Sequence, residues 1–267
     1  MLLAIDVGNT NSVFALHDGS EFIASFRCET VVGRTGDEYF VWLNQLMQLH
    51  KIKVQIDRVV ISSTVPRVVF NLRMMTDHYF DCRPLVVGRA SCDLGVEVRV
   101  DEGATVGPDR LVNTVGAFDR YGGDLIVVDF GTATTFDVVD TDGAYIGGYI
   151  KGLQFSTIGG VIAPGVNLSL QALHERAAAL PHIDVAEPER VIGTNTITCM
   201  QSGVFWGYVG LVEGICKQIR AEHGRDMKII STGGLSTLFE RGTNVIDHID
   251  LDLTLHGLYL IDQNNRK

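Results

Sequence analysis

Two short stretches carry residue types suited to holding phosphate: Asp6-Val7-Gly8-Asn9-Thr10-Asn11 and Asp129-Phe130-Gly131-Thr132-Ala133-Thr134-Thr135. Each follows an apolar run and leads into another, so each reads as the turn of a hairpin. A glycine lets the backbone approach a ligand closely, Asn and Thr add donors, and such a concavity suits phosphate oxygens. The carboxylate at its edge repels phosphate but suits a divalent cation held through water. One such hairpin is no more than ordinary turn composition. The second copy changes the weighing, because Asp6 and Asp129 lie 123 residues apart (129 − 6), close to half of the 267-residue chain. Two phosphate-type loops at matching points of a duplicated unit are what one nucleotide held between two halves requires.

A third candidate is Val106-Gly107-Pro108-Asp109-Arg110, followed by Leu111, Val115 and Phe118 at helical spacing. Gly107 stands near the N-cap and Pro108 at the first helical position. Asp109 in the first turn is favoured as an anion by the helix dipole, and an ionised Asp beside a cleft can accept a proton from a hydroxyl. Arg110 offers a planar fork for a carboxylate. On its own the stretch reads equally as a capped helix with both charges in water. Thr232-Gly233-Gly234-Leu235 forms a further glycine turn after an apolar run. Neither GxxxxGK[ST] nor a strand-linked GxGxxG is present. The eight histidines lack metal-ligand spacing.

The elements that must position these loops follow from periodicity. LLAIDV, SVFALH and EFIASFRC read as three strands, followed by a helix over RTGDEYFVWLNQLMQLH with Thr35 and Glu38 as a capping box. A strand at DRVVISSTVP and a helix at VVFNLRMMTDHYF complete the half. The second half repeats the plan with DLIVVDF, ATTFDVV and GAYIGGYI, helices at NLSLQALHERAAAL and TITCMQSGVFWGYVGLVEGICKQIRAEHG, and a strand at MKIISTGGL. The expectation is an α/β protein of duplicated actin-like (ribonuclease H-like) β-β-β-α-β-α halves facing across a nucleotide cleft. The halves are expected at residues 1–120 and 121–267, parted near FDRYGGD at 118–124.

Composition narrows the partners. With 46% hydrophobic and 20% charged residues the chain can bury a large core, yet no apolar run reaches 18 residues, so no membrane span is expected. A formal charge of −10 disfavours sequence-independent nucleic-acid binding. Five scattered cysteines without CxxC, and an N-terminus without a basic flank, point to reduced thiols and a cytoplasmic protein.

In order along the chain, DVGNTN, RTGDEY, ISSTVP, GPDRLVN, DFGTATTFD, GGVIAPG, GTNTITCMQSG and TGGL resemble the type III pantothenate kinases, ATP-dependent enzymes at the entry to coenzyme A synthesis. The resemblance covers nearly the whole chain. It implies a homodimer, and a need for Mg²⁺ and for a monovalent cation, K⁺ or NH₄⁺. It implies that Asp6, Val7, Gly8, Asn9, Thr10, Asn11, Ser12 and Val13 form the first ATP loop, with Asp6 holding Mg²⁺ through water. Thr132 would contact ATP and Asp129 would hold the monovalent cation. Gly107, Pro108, Asp109 and Arg110 would bind pantothenate, with Asp109 the proton acceptor, and Thr196 would contact pantothenate from the neighbouring subunit. Two departures stand out: Pro108 replaces the family's usual Ala, and residues 149–160 intervene before Val161-Ile162-Ala163-Pro164-Gly165. They open two further readings, a kinase for another small hydroxy acid and a catalytically silent nucleotide-binding regulator.

Overall fold

The computed structural model describes residues 1–101, 103–146, 159–177 and 180–266, so residues 149–158 of the extra segment lie outside the description. In chain order the first elements are strands β1 (Leu2–Val7), β2 (Asn11–His17) and β3 (Phe22–Glu29), helix α1 (Gly36–Leu49), strand β4 (Arg58–Ser63), helix α2 (Pro66–Tyr79), strands β5 (Leu85–Val86) and β6 (Val98–Arg99), and helix α3 (Pro108–Tyr121). Then come β7 (Leu125–Phe130), β8 (Ala133–Val139), β9 (Tyr145–Ile146), β10 (Val161–Pro164), α4 (Val166–Arg176) and α5 (Thr196–His223). The chain ends with β11 (Lys228–Gly233), α6 (Ser236–Phe239), β12 (His248–Ile249) and α7 (Leu253–Asn264).

The strands form two sheets, one ordered β3-β2-β1-β4-β5 and the other β12-β11-β7-β8-β9-β6, with β10 paired to β8. Within the second, β9-β8-β7-β11-β12 reproduces the order of the first. The pairing senses match as well: β1 is antiparallel to β2 and parallel to β4, and β7 is antiparallel to β8 and parallel to β11. The repeat read from the two Asp-x-Gly stretches is therefore a repeat of topology.

Packing divides the chain into two compact units, and the division is not a single cut. One comprises Met1–Val96, Val106–Gly116 and Leu253–Lys267; the other comprises Glu97–Thr105 and Ala117–Asp252. A boundary at 120/121 follows the sequence repeat, whereas α7 packs with the first sheet. The reason lies in β1, a central strand apolar on both faces. Leu3, Ile5 and Val7 pack with Tyr39, Leu43, Leu72 and Met75 of α1 and α2. Leu2 and Ala4 point the other way, where Val112, Val115, Leu258 and Ile261 of α3 and α7 cover them. In the second unit Ile126, Val128 and Phe130 pack against Phe205, Val209 and Val212 of α5.

The α1 capping box forms as expected: Thr35 Oγ1 accepts from Glu38 N–H at 3.3 Å, and Glu38 Oε2 accepts from Thr35 N–H at 2.7 Å. Helix α5 is continuous over 28 residues, capped by Asn195 and ended by Gly224 at φ +76°. Helix α3 and helix α7 approach closely enough that a Cβ on Gly116 would lie 2.6 Å from the Leu253 carbonyl oxygen, and one on Gly257 would strike the Val112 backbone. A Cβ on Gly214 of α5 would meet open space. Gly116→Ala is expected to destabilise the protein by about 2 kcal/mol through this backbone clash, whereas Gly214→Ala should stabilise it by ~0.5–1 kcal/mol through helix propensity. Urea unfolding of the two variants checks the pair.

Candidate active site

In the first unit the site grows from the end of β1. Leu2 and Ala4 face α3 and α7, so Asp6, next in the alternation, faces the same side and the start of α3. Across the sheet, register aligns Ser62 of β4, Asp6 of β1, Val13 of β2 and Arg27 of β3. The Asp6 Oδ1 atom is shut from solvent and has no hydrogen-bond partner. Burial pushes its carboxyl up to about 6; the Ser62 hydroxyl opposes this, the Asp109 charge adds to it, and the Arg27 charge draws it down. An unpaired buried oxygen of this kind suits a cation or its bound water.

Helix α3 supplies the second carboxylate. The first helical bond runs from Leu111 N–H to the Gly107 carbonyl at 3.2 Å, so the N–H that Pro108 lacks is one the helix does not use. Asp109 Oδ1 accepts from the Arg110 N–H at 2.9 Å, and a Cβ on Gly107 would lie 2.5 Å from that oxygen. Gly107 therefore leaves the space into which Asp109 folds. Burial raises the Asp109 carboxyl above the usual range, against the Arg110 N–H and guanidinium. Arg110 itself is buried, at 7% exposure, which directs it to its neighbours rather than to bulk water.

The loop Asp6–Val13 divides by role. Asn9, Thr10 and Asn11 are exposed at the tip. Gly8 N–H is engaged by the Asn11 carbonyl at 3.0 Å, so Gly8 contributes turn shape rather than a free donor. Val7 lies in the core, and its carbonyl accepts from Thr64 N–H at 3.0 Å. Ser12 is fully buried, with its hydroxyl 2.8 Å from Thr30 Oγ1, and so braces the loop from behind.

The second unit builds a related end on β7. Register places Thr232 of β11 and Thr135 of β8 on either side of Asp129. Gly233, at φ +91°, would carry a Cβ 2.6 Å from Asp129 Oδ1, so the glycine turn Thr232–Leu235 closes directly on that carboxylate. Strand β10 sets Pro164 opposite Ala133, and a Cβ on Gly165 would lie 2.8 Å from the Gly131 carbonyl oxygen. Thus Val161–Pro164 is a strand that seats Gly165 against the exposed loop residue Thr132. Thr196 is exposed at the first position of α5, where Asn195 Oδ1 caps Thr198 N–H at 3.0 Å. The structure thus joins Asp6 with Gly107–Arg110 in one unit and places Asp129, Thr132 and Thr196 in the other.

Sequence reasoning gave no role to Arg27 or Ser62 and took Thr135 and Thr232 only as members of their glycine-turn stretches; strand register brings all four beside the two aspartates. Among the described residues, Asp124, Asp140 and His223 are close enough together to hold a metal. Arg225 fills that place, its Nη1 3.2 Å from each carboxylate.

Comparison with solved structures places this arrangement. A putative Baf family transcriptional activator from Campylobacter jejuni matches 98% of each chain at 17% identity with a TM-score of 0.59. A putative 2-dehydro-3-deoxygalactonokinase from Sinorhizobium meliloti matches 99% of each at 12% identity with a TM-score of 0.57. At such identities the likeness speaks for the fold, which is the duplicated α/β fold of the actin-like, sugar-kinase-like proteins. The type III pantothenate kinase family model matches residues 2–218, and a type III pantothenate kinase of Dinoroseobacter shibae is 62% identical over 267 residues, all of both chains. The chain belongs to the type III pantothenate kinase family.

The raised Asp6 value has a consequence for stability. A carboxyl that titrates near 6 when folded and near 3.8 when unfolded binds protons more readily in the folded chain. Stability therefore falls as pH rises through that window, and the loss, ~3 kcal/mol, is complete above it. Asp6→Asn is expected to raise the melting temperature of the ligand-free protein by several degrees at pH 7.5, and to leave it unchanged below pH 4. Thermal unfolding at both pH values decides this, and equal stability at pH 7.5 would contradict it.

Proposed function

We propose that the chain transfers the γ-phosphoryl group of ATP to the primary hydroxyl of pantothenate, giving 4′-phosphopantothenate and ADP at the first step of coenzyme A biosynthesis. The observation that carries this reading is the placement of Asp109, in a family member, at a helix start charge-coupled to Asp6 at the end of β1. The hydroxyl oxygen forms the new bond to the γ-phosphorus, the bond to the β–γ bridging oxygen breaks, and Asp109 accepts the hydroxyl proton. Phosphoryl transfer asks the protein for position and neutralised charge rather than covalent help, and a half-buried carboxylate with a raised proton affinity suits the remaining task.

Arg110 steadies Asp109 and presents a fork to the pantothenate carboxylate, with Gly107 and Pro108 shaping the approach. The loop Asp6–Val13 receives ATP phosphates through Asn9, Thr10 and Asn11, with Val7, Gly8, Ser12 and Val13 holding its form; Thr132 is a further ATP contact. Thr196 contacts pantothenate from the neighbouring subunit of a homodimer. Exposed apolar side chains on and beside α4 and α5, with Ile192 at 84% and Val191 at 64%, support such an interface. Asp6, with its unpartnered oxygen, fits Mg²⁺ held through water, and Asp129 between the hydroxyl-bearing Thr135 and Thr232 fits K⁺ or NH₄⁺. Bound cations would neutralise phosphate charge. No helix among the described residues is long and apolar enough to cross a membrane, and ATP as donor argues for a cytoplasmic enzyme.

ADP release with ATP and Mg²⁺ is expected to require pantothenate and to increase when K⁺ replaces Na⁺. Asp109→Asn should lower kcat 10²–10⁴-fold while leaving nucleotide affinity within a few-fold. Release independent of pantothenate in both salts would overturn the reading.

A further inference from the structure

The described cationic side chain at the Asp6 end of the first sheet that has no structural employment is Arg27. It lies exposed on β3, and it makes no hydrogen bond or ion pair with any described residue. Register puts it in the row Ser62, Asp6, Val13, Arg27, on the face that Asp6 shares with the start of α3. Two strand spacings, roughly 10 Å, separate its backbone from that of Asp6, and only the half-buried Val13 stands between. The long side chain crosses much of that gap, and its charge is felt at the Asp6 carboxyl, which it draws down.

The charges at this end of the unit do not balance for an anionic ligand. Asp6 and Asp109 both repel phosphate, Arg110 is buried beside Asp109, and the chain has no P-loop lysine. Loop donors at Asn9, Thr10 and Asn11 supply dipoles rather than charge.

We propose that Arg27 is a further nucleotide-binding residue, its guanidinium pairing with the phosphates of ATP over the first loop. This rests on the nucleotide-binding part of the proposed function and extends it to a residue on the neighbouring strand. A guanidinium matches phosphate oxygens two at a time, so Lys in its place supplies charge without the fork. Its exposed side chain holds no hydrogen bond or close ion pair with the described residues, so removing it takes away only its longer-range attraction to Asp6.

The test uses the full-length protein with Arg27→Gln and Arg27→Lys. Calorimetric titration with a non-hydrolysable ATP analogue and Mg²⁺ reads binding without turnover, and steady-state kinetics read KM for each substrate. The expected result is at least tenfold weaker analogue binding for Arg27→Gln, partial recovery for Arg27→Lys and a shallower salt dependence. KM for pantothenate should stay within twofold, and the melting temperature should fall by no more than a few degrees, the loss of the Arg27 attraction to Asp6. Unchanged analogue binding by Arg27→Gln, or an effect confined to pantothenate KM, overturns the assignment. If the wild-type protein binds the analogue but phosphorylates no pantothenate, the acceptor assignment fails while the Arg27 result still stands; if it binds no analogue, both fall.

Discussion

A carboxylate set at the end of a fully covered central strand is the constraint on which the site depends. Residue 6 follows five residues that are all apolar and mostly sealed between helix layers, so the alternation that buries Leu2 and Ala4 also carries Asp6 inward. A charge in that position costs free energy unless something answers it. One of its oxygens has no answer within the protein, and the group nearest in charge, Asp109, has the same sign. A ligand that brings a cation relieves both. The folded chain therefore holds an electrostatic deficit at the candidate site, as sites shaped for function commonly do.

The two units answer one topology with different chemistry. Both set an aspartate near the end of the strand that pairs antiparallel on one side and parallel on the other. Around Asp6 the row runs from a serine to a valine and an arginine; around Asp129 it has threonines on both sides. Hydroxyl oxygens around a carboxylate resemble the shell of a weakly hydrated monovalent cation, whereas a carboxylate beside a guanidinium suits a phosphate-bound divalent ion. Duplication supplied the scaffold, and a few residues per row set the function.

Much of this was legible in the sequence because it is local. The repeated Asp-x-Gly turns, the Thr35–Glu38 box and the Gly107-Pro108 helix start are each written within a few residues, and each forms as those residues dictate. What escaped depends on distant partners. Helix α7 belongs with the first sheet because Gly116 and Gly257, 141 residues apart (257 − 116), let two helices touch, a fact no local pattern holds. Strand β10 hides in a Pro-Gly stretch because Pro tolerates an edge position, and its pairing with β8 has no signature of its own. Ser12 looks like a phosphate ligand by type, yet strand alternation turns its hydroxyl inward to Thr30. The family resemblance named the candidate site residues; register was needed to find those that stand beside them.

A chain of formal charge −10 that binds a polyanion has to solve its electrostatics locally. Acidic side chains spread over an exposed surface are screened within about 10 Å at moderate salt, so the net charge scarcely reaches a recessed loop. What can reach a ligand there is the nearest shell: the dipole of the α3 N-terminus, the tip of the first loop and, on the readings proposed above, the guanidinium groups of Arg110 and Arg27. Pro108 is consistent with this arrangement because it gives up an N–H the helix had no use for while fixing the backbone that aims the rest. The departure from Ala at this position thus alters the stiffness of the helix start more than its field. On the proposed reading the acceptor carboxylate would meet the same dipole and the same Arg110 that hold Asp109, which would keep the proton acceptor and the acceptor's own anion within one helical turn.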